Sequence, residues 1–200
     1  MALELVHDQF GSYWRGNEWG ITRAQMELNA SYIWNYLGSQ GWSLQAVAGI
    51  LGNTQFESGH NPGIWQNLEP IASHGYGIVQ WTPSTKFTEW AQENGYPINV
   101  MYGQLDRILY ERDNNIQWST SAEYPISFGR YWNTHSHSAH WCGGAWFMNY
   151  ERGPNPDVAP IRENAAREWA YFLATQPQPT LKGPSNWVVY KRGAYLINET

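Results

Sequence analysis

The sequence predicts a mostly α-helical fold with one small β-hairpin, an α+β class. Two observations carry that expectation. Apolar residues recur at spacings of three and four in successive windows, each bounded by capping residues, glycine or proline. Between the second and third windows lies a run punctuated by glycine, His74-Gly75-Tyr76-Gly77-Ile78-Val79-Gln80-Trp81, which reads as a short hairpin. Two hundred residues suit one domain with a substantial core.

Residues 1–21 have no sustained periodicity and read as an irregular arm. Thr22 and Gln25 form a capping-box pair, Met26, Ala30, Ile33 and Leu37 follow at helical spacing, and Gly38 is the expected stop. Ser43 caps a second helix that runs to about Ser58, with Leu44, Val47, Ala48 and Leu51 inside. Gly59, Asn61-Pro62 and Gly63 then form a turn-rich loop before the hairpin. Thr82-Pro83 is the expected start of a third helix, with Phe87, Trp90 and Ala91 inward and Gly95 at its end. Asn99 to about Asn114 is a fourth, on Met101, Leu105, Ile108 and Leu109. Residues 115–138 show no clear pattern. Ala139 to Tyr150 is helical, with Gly143 and Gly144 permitting a tight crossing, and Pro160 to about Thr175 is the last helix. Residues 22–175 thus form the main domain. A Pro-Gln-Pro breaker follows, and residues 176–200 read as a linker with two short strands, Trp187–Tyr190 and Ala194–Ile197.

The chemistry concentrates between Gly49 and Thr82. Ile50, Asn53 and Glu57 share one helix face, so Glu57 emerges at a helix C-terminus beside apolar neighbours. Partial burial and the negative end of the helix dipole both raise a carboxyl pKa. A carboxylic acid that keeps its proton near neutral pH is what protonates the leaving oxygen in glycoside cleavage. For an isolated Glu, a solvated helix end is the better reading. Here the context is Glu57-Ser58, then Asn61-Pro62, then a Gly-x-Gly-x-x-Gln run over Gly75 to Gln80.

That pattern resembles the catalytic signature of the lysozyme-like superfamily, in particular goose-type lysozymes and lytic transglycosylases. The fuller set GNTQFES, NPGIWQNLE, YGIVQWTP and FMNYERGPNP is similar to the phage tail lysozyme domain of short-tailed Bacillus phages, from about Asn29 to about Ala174. The resemblance implies a lysozyme-like fold with helices around a cleft. It implies cleavage of the β-1,4 bond between N-acetylmuramic acid and N-acetylglucosamine in peptidoglycan, with Glu57 as general acid. Glu69 falls where such domains carry an acidic residue after Trp-Gln-x-Leu, and is either a second catalytic carboxylate or a loop anion. Gln80, Tyr76, Trp65, Tyr150 and Asn53 are the expected substrate-binding residues. Tyr150-Glu151-Arg152 matches the family's Y-E-R-P motif, although Gly153 intervenes before Pro154, and Glu151 and Arg152 are expected to be structural or substrate-positioning. The resemblance further implies a virion role: a tail-tip enzyme that opens the wall during DNA ejection, among other tail proteins. A transglycosylase, a free endolysin and a non-enzymatic tail or wall-binding module are the alternatives. A metallopeptidase domain can follow in this branch, and none is expected in the residues after 176.

The remaining composition narrows the alternatives. The formal charge of −5 offers no electrostatic footprint for nucleic acid. No apolar run approaches the roughly 18 residues of a membrane span, and the first residues lack the basic segment and apolar core of a signal peptide. Thirteen Trp and 13 Tyr suit a saccharide cleft, though most tryptophans in any domain are packing residues. His135, His137 and His140 with Cys142 suggest zinc, but no acidic partner lies near in sequence, and neither a metal nor a cofactor is expected. A Cys-His amidase would need Cys142 beside a cation or a helix N-terminus, whereas it reads as an intrahelical packing position.

Overall fold

The structure is a computed structural model that describes residues 21–153 and 155–180. The predicted N-terminal arm up to residue 20 and both predicted C-terminal strands lie outside the described residues.

Seven α-helices are present among the described residues: α1 (Arg23–Ser39), α2 (Leu44–Glu57), α3 (Thr85–Glu93), α4 (Met101–Asp113), the single turn α5 (Phe128–Tyr131), α6 (Ala139–Trp146) and α7 (Ala159–Ala174). The centre is α2, packed against α6 and α7, which also pack on each other. Its run from Ala46 to Thr54 is buried without a break, so α2 lacks the polar face of a surface helix. Gly52 lets α7 approach: a Cβ there would lie 2.6 Å from the Ala166 nitrogen and the Arg162 carbonyl oxygen. Gly143 does the same from α6, facing Arg162 and Ala166. The aromatic content is largely core. Trp34, Trp42, Trp81, Trp146 and Trp169 are all buried.

The helix starts follow their caps. Thr22 and Gln25 exchange both capping-box bonds (3.3 and 2.7 Å), and Ser43 accepts from the Ala46 amide. Three expectations need correction. Gly38 does not end α1, which continues to Ser39; it is buried against Trp34 and Pro179, and the chain reverses at Gly41, where φ is +87°. The third helix starts at Thr85 rather than at Pro83, because Ser84 ties its amide and hydroxyl to the Ala72 carbonyl (3.0 and 3.1 Å).

The third correction concerns the hairpin. Among the described residues there is no β-strand, only isolated bridges pairing Tyr76 with Trp65 and with Trp81. The backbone groups that a ladder needs are taken by side chains. Gln104 accepts from the Ile78 amide (2.8 Å), and the Ser58 hydroxyl donates to the Ile78 carbonyl (2.9 Å). Positive φ values at Gly77 and Gln80 close the turn before a second pair can form. The 74–81 segment is therefore a loop clamped between α2 and α4. At the other end, residues 176–180 lie back on α1: the Ser31 hydroxyl donates to Gln176 at 3.2 Å, and Pro179 rests on Gly38.

Candidate active site

Glu57 is the last residue of α2 and faces an open cleft of about 1110 Å³. One wall is the 64–68 loop with Trp65, another is the 79–82 segment, and the floor comes from Tyr150, Glu151 and α7. The Glu57 side chain is 23% exposed, a group open to the cleft on one side only. Burial is the main influence on its carboxyl and raises its pKa. Arg162 of α7 opposes that shift: its Nη2 donates to Glu57 Oε1 at 2.7 Å. Desolvation prevails, and the net direction is upward.

Arg162 does more than pair with Glu57. Its Nη1 donates to the Asn53 carbonyl at 3.0 Å, one turn before the end of α2. Its guanidinium lies over Phe56 at 4.6 Å and near Phe147 at 5.6 Å. The sequence reading missed this residue, although a signal was there. Arg162 shares the buried face of α7 with Ala165, Ala166 and Trp169, and a cation on an apolar stripe needs a partner.

The chain from Phe147 to Glu151 leaves the α register of α6 and forms a π-helical turn, which ends at Arg152 with φ +53°. This turn delivers Tyr150 and Glu151 to the cleft. Trp146 Nε1 donates to Glu151 Oε1 at 2.9 Å. Glu151 is only half-buried as a residue, yet its carboxyl pKa is pushed well above the ordinary glutamate value. Burial is the first cause, and the negative charge of Glu57 is the second. Beneath it, Glu111 of α4 accepts from Trp81 Nε1 (3.0 Å), Arg107 Nε (2.9 Å) and the Tyr150 hydroxyl. Lys86 also lines the cleft, and burial together with Arg152 lowers its pKa.

The cleft collects Glu57, Trp65, Gln80 and Tyr150 from the sequence-predicted residues. Gln80 sits at φ +49° with its amide donating to the Gly77 and Ile64 carbonyls (2.9 and 3.3 Å), so its carbonyl end is the group left for a ligand. Three predicted residues are elsewhere. Glu69 does not line the cleft; its side chain is 57% exposed, with His74 Nδ1 at 3.7 Å. Tyr76 is 1% exposed and packs on Trp65, with ring centroids 4.5 Å apart, so it holds the cleft wall rather than facing solvent. The Asn53 side chain is buried and donates to the Gly49 and Gly143 carbonyls, both at 2.9 Å, which pins α2 to α6.

The rival chemistries find little geometry. Cys142 is buried, and burial pushes its thiol up to about 12, away from a reactive thiolate. His137 stacks on Trp141 at 3.9 Å, and His140 has an acidic neighbour after all, Glu163 at 3.6 Å from α7. No three metal-ligating side chains converge among the described residues.

Comparison with known proteins identifies a family. Residues 28–173 match the family described as phage tail lysozyme. The chain is also 43% identical over 150 residues to morphogenesis protein 1 of Bacillus phage B103, an alignment that takes in 74% of this chain and 40% of that protein. The chain thus spans well under half the length of this relative. A helix-end glutamate in a cleft walled by Trp65 and Gln80, inside a family match that covers most of the described fold, supports one conclusion: the chain belongs to the phage tail lysozyme family.

Proposed function

We propose that this chain cleaves the β-1,4 bond between N-acetylmuramic acid and N-acetylglucosamine in peptidoglycan, with Glu57 as general acid. One observation carries the reading. Glu57 is a carboxyl raised by burial yet open to a cleft of about 1110 Å³, and the cleft has an aromatic wall at Trp65. Glu57 gives its proton to the glycosidic oxygen as the bond to the anomeric carbon breaks. Gln80 and Trp65 hold the sugar on either side, the first by its amide carbonyl and the second by its ring face.

Within the same chemistry, the position of Glu69 favours a one-carboxylate reaction at the sugar. An exposed side chain off the cleft is poorly placed to orient water or to face a developing cation. Glu57 then acts as acid and afterwards as base, and the attacking hydroxyl is water or the sugar's own 6-hydroxyl. This second reading, transglycosylation, leaves 1,6-anhydro ends. The family and the relative's name, a phage morphogenesis protein, support a virion component that acts on the host wall during DNA ejection, in company with other tail proteins.

Mass spectrometry of products from purified peptidoglycan tests the bond and the outcome together. Fragments ending in N-acetylmuramic acid, reducing or 1,6-anhydro, are expected. Fragments ending in reducing N-acetylglucosamine, or released peptides with intact glycan strands, would overturn the reading.

A further inference from the structure

Two carboxyls and one guanidinium line the cleft together. Glu57 comes from the end of α2, Glu151 from the π-helical turn and Arg162 from α7. Arg162 binds Glu57 at 2.7 Å, and its charge also acts on Glu151, whose Oε1 is fixed by Trp146 Nε1 at 2.9 Å. The remaining charges that face the group are few. Glu111 from α4 acts on Glu151 as a second negative charge, itself held by Arg107, while Lys86 of α3 and Arg152 line the same cleft. Two carboxyls facing one cleft, of which only Glu57 is shown bonded to a cation, do not both ionise cheaply. A π-turn inserted in a helix is a recurrent way to aim a side chain at a functional site.

We propose that Glu151 is a positioning residue for catalysis: it and Glu57 hold one proton between them beside Arg162, which keeps a proton available to Glu57 at higher pH than burial alone does. The inference rests on the glycosidase reading of Glu57. In the singly protonated pair the proton exchanges between the two carboxyls. When it resides on Glu57 it passes to the glycosidic oxygen, which takes the electron pair of the breaking bond to the anomeric carbon. The attacking hydroxyl forms the new bond there and returns its proton to Glu57. Glu151 gains and loses only the shared proton and touches neither sugar.

The test compares pH–rate profiles of the full chain on purified peptidoglycan for wild type, Glu151→Gln and Glu151→Asp, each normalised to its own maximum. The alkaline limb of Glu151→Gln is expected to move to lower pH by about one unit or more, because coupled carboxyls titrate as a pair only while both are present. Glu151→Asp, which restores an ionisable group, is expected to recover part of the shift. A normalised profile for Glu151→Gln that superimposes on wild type would overturn the proposal, whatever happens to the maximum. A second measurement does not depend on activity: carbon-13 NMR titration of the wild-type glutamate carboxyls. Two-step titration of the Glu57 signal, collapsing to one step in Glu151→Gln, supports the shared proton. One-step titration in the wild type overturns it. Failure to cleave peptidoglycan would remove the glycosidase reading and leave the NMR result to judge the pair.

Discussion

Glu57 is a helix-terminal acid whose partner, Arg162, comes from 105 residues further along the chain. Which carboxyls face the cleft decides two predictions. Glu69→Gln should cleave peptidoglycan within a fewfold of the wild-type rate, since Glu69 lies off the cleft beside His74. A fall of several orders of magnitude in turnover would return Glu69 to the chemistry. Glu151 gives a stability prediction with a definite sign. Its folded carboxyl lies above its unfolded value, so the native state binds more protons and loses stability as pH rises from the ordinary glutamate pKa of about 4.3. Glutamine mimics the protonated form. Glu151→Gln should therefore melt above wild type near pH 7, with the gap closing below about pH 4. Calorimetry at both pH values checks this, and a gap independent of pH would contradict it.

At the scale of elements, the site depends on how closely α7 crosses α2. Gly52 faces the backbone of α7 at the turn that carries Arg162. Gly52→Ala should cost about 1–3 kcal/mol by overpacking, measured by urea unfolding, and should lower turnover as Arg162 is pushed off Glu57. Unchanged stability would mean that the crossing is looser than described. The elements also show what the sequence could reveal. Caps at Thr22 and Ser43 are local chemistry, and they were legible. The hairpin was not, because alternation and glycine placement say nothing of Gln104 and Ser58 taking the backbone groups of Ile78. The π-turn was equally hidden. Periodicity carries a helix through Tyr150, while the actual change of register after Trp146 is what brings Glu151 into the cleft.

At the scale of the whole molecule, α2, α6 and α7 pack together as the centre, and Glu57, the proposed acid, is the end of its most buried helix. Glu57, Gln80 and Trp65 were legible in the sequence because they belong to one contiguous motif. Arg162 was not legible, because its bonds to Asn53 and Glu57 join distant parts of the chain, and Glu151 was expected only as a structural or substrate-positioning residue. The most direct test of the central claim is Glu57→Gln, assayed for peptidoglycan cleavage and for thermal unfolding on the same preparation. The amide preserves the shape of the side chain but cannot protonate the glycosidic oxygen, a contribution worth about 10²–10⁴-fold. The account predicts a folded protein, with a melting temperature at or slightly above wild type, whose cleavage is lower by at least that factor. A well-folded Glu57→Gln protein with full lytic activity would contradict it.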